Sequence, residues 1–311
     1  MAINWFPGHM HKARKEIKKV MSDVDVVIEL LDARIPFSSS NPLVGNLRGE
    51  KPVIKLLNKA DLADPKVTEA WQAHLEKDNA VKSLALSATA DGKIKMIANL
   101  CRKLAPHKVD SDKGISAMIM GIPNVGKSTL INSLAGKTIA KVGNEPAVTK
   151  RQQKIKLDNG ITLSDTPGIL WPKLEPATCG YRLASTGAVK DTAMEYEDVA
   201  WECLKEFRVL YPNALKDRYG LSEFGSDEYE LLELIGKKRG CLKSGGVVDV
   251  HQAATIFLQD LRSGKLGRVT LETPEMMEAE MAEFRAMLEA KREQEELAKK
   301  EKEERSGKRT S

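Results

Sequence analysis

Cysteine is scarce in this sequence. Cys101, Cys179, Cys203 and Cys241 lie far apart and form no C-x-x-C pair, which argues against a zinc cluster or a disulfide framework and suits a reducing cytosol. Long apolar runs are missing as well: no stretch approaches the roughly 18 apolar residues of a membrane span. The first twenty residues are basic and amphipathic, without an apolar core of signal-peptide length. Aromatic residues make up only 5%, and no internal repeat is evident. The expectation is a soluble intracellular protein with no membrane partner.

What is present bounds the size and the partners. The chain has 311 residues, 41% hydrophobic and 30% charged, enough for one nucleotide-binding domain plus a smaller unit. The formal net charge of +5 permits a polyanionic partner without demanding one.

The most informative stretch is Gly121 to Ser128, which fits G-x-x-x-x-G-K-[ST]. An apolar run, Ile115 to Met120, leads into it and a helix-compatible run, Thr129 to Leu134, leaves it, the setting in which this loop cradles phosphates. Gly121 and Gly126 let the backbone turn sharply and bring its N–H groups to a phosphate. Lys127 supplies charge for the β and γ phosphates, and Ser128 a hydroxyl for Mg²⁺. The phosphate-binding set is therefore Asn124, Val125, Gly126, Lys127, Ser128 and Thr129. This loop alone leaves the base open.

Around it, strand patterns at Val24 to Leu31, Pro52 to Leu57 and Val81 to Leu86 alternate with helical ones, and the first strand ends in Asp32 to Pro36 and a Ser/Asn/Pro loop. The helices are expected over His11 to Met21, from an Asp64-Pro65 start to about Glu76, and over Lys93 to Leu104. That alternation predicts a mostly parallel α/β sheet whose ligand sits at the strands' C-terminal ends. The second strand runs into Asn58-Lys59-Ala60-Asp61, which fits N-K-x-D. A carboxylate at Asp61 can accept from guanine N1–H and its exocyclic amino group; adenine offers neither, and would leave a buried charge unpaired. Asn58 can contact N7, the Lys59 stem can cover the ring, and Ser87 with Ala88 can present a backbone N–H to O6.

Further on, Gln153 to Leu157 and Ile161 to Leu163 flank Asp158-Asn159-Gly160, a hairpin signal. The second of these runs into Asp165-Thr166-Pro167-Gly168, which fits D-x-x-G. There Asp165 reaches Mg²⁺ through water and the Gly168 N–H meets the γ-phosphate. Thr149, in the polar loop 143–151, is placed to give Mg²⁺ a second hydroxyl, or is an ordinary loop threonine. Ras-like enzymes carry a water-orienting Gln just after D-x-x-G; this chain has Ile169. Hydrolysis in the free protein is therefore expected to be slow, and a GTP-gated RNA-binding module with little hydrolysis stays open as an alternative.

The motif order is unusual: N-K-x-D and Ser-Ala precede the phosphate loop, with Thr149 and D-x-x-G after it. The expectation is a Ras-like P-loop GTPase domain, circularly permuted, over residues 1–170. A smaller all-α domain follows over 171–273, with helices at Thr178 to Ser185, Met194 to Phe207, Asp227 to Leu234 and Asp249 to Leu261. Residues 274–311 form a charged helical or disordered tail.

Taken together, Asn4 to Met10, Asp32-Ala33-Arg34-Ile35-Pro36, Asn58 to Asp61, Gly121 to Ser128 and Asp165 to Gly168 resemble, in the same order, the YlqF/RbgA family of ribosome-biogenesis GTPases. The resemblance spans about residues 1–270. It implies a cytoplasmic enzyme, using GTP/GDP and Mg²⁺, that binds the large ribosomal subunit late in assembly and is monomeric when free. The helical domain would contact rRNA, mostly at phosphates, through Lys237-Lys238-Arg239 between its last two helices and the loop Arg262 to Arg268, together with the basic N-terminal helix. It offers His9 as the group that positions water once the ribosome orders the N-terminus, against the simpler reading of a polar group in a tight Pro-Gly turn. It also offers Asn124 as a ligand for K⁺ beside the phosphates. A small-subunit assembly GTPase is the nearest competitor, but those carry an N-terminal oligonucleotide-binding barrel and a C-terminal zinc site that this sequence does not show.

Overall fold

A computed structural model describes residues 3, 6, 8–87, 91–109, 111–140, 153–157 and 160–307, with the side chains of 9, 91 and 300–307 left out of the description. Its strands are β1 (Val26–Asp32), β2 (Val53–Asn58), β3 (Val81–Ala85), β4 (Ile115–Gly121), β5 (Gln153–Lys156) and β6 (Ile161–Asp165). They form one sheet in the order β3-β2-β1-β4-β6-β5. All neighbours are parallel except β5 and β6. The central strands are Val-, Ile- and Leu-rich without alternation, and β1 is buried along its whole length, as a strand covered on both faces must be. Edge strand β5 instead exposes Lys154 and Lys156, charges that discourage pairing with another chain.

From β1 the chain steps outward through β2 to β3; from β4 it fills the other side with β6 and β5. The order therefore reverses between β1 and β4, and the crevice outside their carboxyl ends is where ligands bind in such sheets. The register brings the motif-bearing ends level: Asp32 faces Asn58, Leu30 faces Gly121, and Ile119 faces Asp165.

Five helices belong to the sheet layer: α1 (Gly8–Val20), α2 (Pro42–Arg48), α3 (Pro65–Leu75), α4 (Asp91–Leu104) and α5 (Lys127–Ala135). Helix α3 starts as its sequence predicts, Asp64 accepting from the N–H groups of Lys66 and Val67 with Pro65 at the first position. Helix α1 buries Ala13 and Ile17 and exposes Lys12, Arg14, Lys15, Lys18 and Lys19. Helix α2 departs from the expected Ser/Asn/Pro loop: Asn41 caps it through Leu43 N–H, and Pro42 begins it. Seven residues containing Gly45 were too short to show helical periodicity. Strand β1 starts at Val26 instead of Val24, because Val24 closes the preceding 3₁₀ turn on Met21.

Beyond Trp171 come α6 (Ala177–Ser185), α7 (Tyr196–Leu210), α8 (Pro212–Tyr219), α9 (Glu228–Arg239) and α10 (Val250–Arg262). Phe207 of α7 meets Phe257 of α10 edge to face, centroids 5.5 Å apart, at the centre of this layer. Helix α8 is an addition to the sequence reading. The run Lys237 to Arg239, read there as an interhelical segment, is the last turn of α9, where cations oppose the helix dipole. Residues up to Glu272 form one compact unit, within which Trp171 marks the change from sheet to helices. Residues 273–311 form a second unit, built on α11 (Pro274–Gly307).

Candidate nucleotide site

Strand β4 ends in the phosphate loop and α5 starts at Lys127, so the loop's N–H groups face the crevice at a helix N-terminus. Gly126 sits at φ 99°, and a Cβ there would collide with Asn58 Nδ2. Lys127 is buried, its Nζ folded back to Ile122 O at 3.0 Å and Gly121 O at 3.3 Å. Burial lowers its pKa to about 8, opposed by the Asp165 carboxylate.

Asp165, the last residue of β6, is 1% exposed, and its Oδ1 has no hydrogen-bond partner among the described residues. Burial pushes its carboxyl up to about 6, against the pull of Lys127 and the Thr166 N–H. A buried carboxylate with an idle oxygen costs free energy unless a cation or donor completes it. Those two observations fit a Mg²⁺ triphosphate between Lys127, Ser128 and Asp165. Gly168 closes this side: a Cβ there would come 2.9 Å from Pro123 Cα and 3.1 Å from Lys127 Nζ. Only glycine lets that N–H come so near the phosphate position. Among the described residues no group of three or more His, Cys, Asp and Glu is set to hold a metal.

The base-reading motif is joined directly to this loop. Asn58 Nδ2 donates to Val125 O at 2.7 Å, while Oδ1 is buried without a partner among the described residues. Lys59 adopts φ 60°, unusual for a non-glycine residue, and its Nζ lies 3.0 Å from Asp32 Oδ2. Asp61 is exposed. Ser87 follows the end of β3, next to Leu86, whose carbonyl accepts from Ala60 N–H at 3.1 Å. Ala88, Thr149 and the His9 side chain lie outside the described residues.

Several further contacts at the site leave no local sequence signal. Asp32 receives Arg34 Nε at 2.9 Å and Nη2 at 2.7 Å as well as Lys59. Burial alone would raise its carboxyl, but Arg34 and Lys59 together hold it well below the usual range. Arg34 Nη1 reaches on to Leu261 O at 3.4 Å, so this cluster links the base-reading loop to the helical layer. Asn41 Nδ2 donates to Ile169 O at 3.1 Å, and Leu170 N–H donates to Met10 Sδ at 3.4 Å. Helix α1 thus lies directly on the residues that leave D-x-x-G. Asn124, at φ 57°, donates from Nδ2 to Gly187 O at 2.8 Å, another tie into the helices.

Two sets of cations in the helical layer differ in what they meet. Arg218, Arg239 and Lys265 converge on Asp260, at 2.9, 3.6 and 3.7 Å. Arg262 instead caps Ala184 O and Ser185 O, and Arg268 binds Ala60 O and Ala63 O. Among the described residues no helix is long and apolar enough to cross a membrane.

Comparison with known proteins agrees with this geometry. The family described as 50S ribosome-binding GTPase matches residues 116–201. Ribosome biogenesis GTPase A of Bacillus cereus is 47% identical, over 88% of this chain and 95% of the relative. Its counterpart in Thermotoga maritima is 34% identical, over 88% and 95%. Mitochondrial ribosome-associated GTPase 1 of Bos taurus is 33% identical, over 86% and 88%. The GNP-bound crystal structure of YlqF from T. maritima superimposes with a TM-score of 0.60 at 31% identity, covering 85% of this chain and 99% of that one.

Proposed function

This chain belongs to the ribosome biogenesis GTPase A family, and from that premise we propose that it binds the large ribosomal subunit in its GTP state. There it promotes a late assembly step, hydrolysing GTP slowly until the subunit stimulates it. The observation that carries this reading is the neighbourhood of the γ-phosphate position. Lys127, Asp165 and Gly168 are assembled, while Ile169, where a water-orienting side chain would be needed, is apolar and 1% exposed. A competent phosphate site without a water-orienting group there calls for one supplied from elsewhere.

His9 is that group in this reading. In its support, the adjacent Met10 is fully buried and holds Leu170 N–H, two residues past Gly168. Ser128, Thr149 and Asp165 would hold Mg²⁺, which when bound neutralises charge on the phosphates. Asp61, Asn58, Lys59, Ser87 and Ala88 would read the base. Asn124 would add its side-chain oxygen to K⁺, its amide nitrogen being held by Gly187 O.

The helical region 171–273 is the rRNA-facing part. Three cations gathered on the single carboxylate of Asp260 leave an excess positive charge that suits a phosphate backbone, and the exposed lysines of α1 add to it. The protein is cytoplasmic and monomeric when free.

The test is co-sedimentation with purified large and small subunits in the presence of GDP or a non-hydrolysable GTP analogue, with phosphate release measured in parallel. Selective, analogue-dependent pelleting with large subunits, and faster hydrolysis with them in K⁺ than in Na⁺, is the expected result. Equal pelleting with both subunits, or indifference to the nucleotide, would overturn the assignment. His9→Ala should leave GTP affinity intact and abolish the stimulation.

A further inference from the structure

The turn that carries Asp61 is held from outside by a segment some two hundred residues further along the chain. Arg268 Nε donates to Ala63 O at 3.0 Å and Nη2 to Ala60 O at 3.0 Å, so one guanidinium clamps both ends of the turn. Between them Val269 N–H donates to Leu62 O at 2.9 Å, and Thr270 Oγ1 accepts from Asp64 N–H at 3.1 Å. Ala60, Leu62, Ala63 and Asp64 are thus each bonded to this strap, and Asp61 projects free of it. Gly264 enters the strap at φ 75°, a conformation that favours glycine, with the Leu62 side chain packed beside it.

The strap is itself well anchored. Leu271 N–H donates to Arg34 O at 2.8 Å, Thr270 N–H donates to Tyr211 OH at 2.9 Å, and Leu266, Val269 and Leu271 are buried. What it braces is a turn entered through Lys59 at positive φ, in which Asp61 is exposed. Recognition of guanine by a carboxylate needs both oxygens held in line with two donors, and such selectivity survives only where the supporting backbone is fixed. A planar fork of donors holds two carbonyls in one fixed mutual geometry, which a lysine ammonium, a point charge on a flexible stem, fixes less rigidly.

We propose that Arg268 is a positioning residue for guanine recognition, and that the segment Gly264 to Thr270 of the helical region, through it, sets the base selectivity of the nucleotide site. The inference rests on Asp61 reading the guanine edge. It makes the helical region part of the nucleotide site and gives that region a role separate from any RNA contact.

The test compares dissociation constants for GDP and inosine diphosphate, which lacks the exocyclic amino group, in full-length protein and in Arg268→Ala, Arg268→Lys and Thr270→Val. Arg268→Ala should weaken GDP about tenfold and inosine diphosphate about threefold, narrowing the preference for guanine. Arg268→Lys should recover part of that preference, and Thr270→Val should shift it in the same direction as Arg268→Ala. If the variants melt earlier yet keep the guanine-to-inosine ratio, the role is structural only and the proposal fails. Should Arg268→Ala not fold, the other two variants decide by the same ratio. Asp61→Asn separates the two layers. If it does not transfer preference to xanthosine diphosphate, the base-reading role falls and the proposal with it; if it does while the strap variants keep their ratio, only the proposal falls.

Discussion

Gly126→Ala tests how tightly the base-reading motif and the phosphate loop are built into each other. The new Cβ would collide with Asn58 Nδ2. A surface amide would swing away, but Asn58 is 2% exposed and its Nδ2 is bonded to Val125 O at 2.7 Å. Two costs follow. Holding alanine at φ 99° is worth on the order of 1–3 kcal/mol of strain. Displacing the Asn58 amide sacrifices a hydrogen bond worth about 0.5–1.5 kcal/mol net, and more if Val125 O is left buried without a partner.

The single substitution should therefore lower stability by roughly 2–4 kcal/mol. In an Asn58→Ala background the collision and the bond are both gone, so only the strain remains. The double-mutant cycle should show a coupling of about 1 kcal/mol, read by urea titration of the nucleotide-free protein. If Gly126→Ala costs the same in both backgrounds, the two motifs are independent and the reasoning is refuted. GDP affinity, measured alongside, should fall with Gly126→Ala, because the displaced amide is what joins N-K-x-D to the phosphate loop.

The pH dependence of nucleotide affinity follows from the two buried charges. Asp165 titrates near 6, above its ordinary 3.8, and must ionise to serve Mg²⁺; Lys127 titrates near 8, below its ordinary 10.5, and must be protonated to meet phosphate. Affinity for Mg²⁺–GDP should be greatest between those values, with calorimetry showing proton release on binding below about 6 and uptake above about 8; a flat profile would contradict it. In the nucleotide-free protein the Asp165 shift costs stability increasingly as pH rises from 3.8 through 6. The Lys127 cost, full below 8, fades as pH rises toward 10.5. Met10→Ala should cost about 2–5 kcal/mol for its buried volume and speed hydrogen exchange at Leu170, whose N–H it holds. Met10→Leu, conserving volume, should cost less than about 1.5 kcal/mol while still freeing that N–H.

Read alone, the sequence carries the chemistry that works over a few consecutive residues. The phosphate loop, N-K-x-D and D-x-x-G are contiguous because each needs one short backbone path to face one part of a nucleotide. Their order along the chain already implies the permuted sheet. The long strands and capped helix α3 are legible for a similar reason, since burial on both faces and an Asp-Pro start leave local marks. Short elements such as α2 and α8 hold too few residues for periodicity to show.

Tertiary structure decided the rest, because a side chain's partner across the chain leaves no trace in its neighbours. Asn58 on Val125, Asn41 on Ile169 and Met10 on Leu170 join residues 67, 128 and 160 positions apart. The arginines make the point most plainly. In sequence Arg239, Arg262 and Arg268 are equal members of two basic clusters that suggest phosphate contacts. Folding sends Arg239 to Asp260, Arg262 to the end of α6 and Arg268 to the turn that carries Asp61. A guanidinium serves a phosphate or a carbonyl by the same donors, and only the packing around it selects which one it meets.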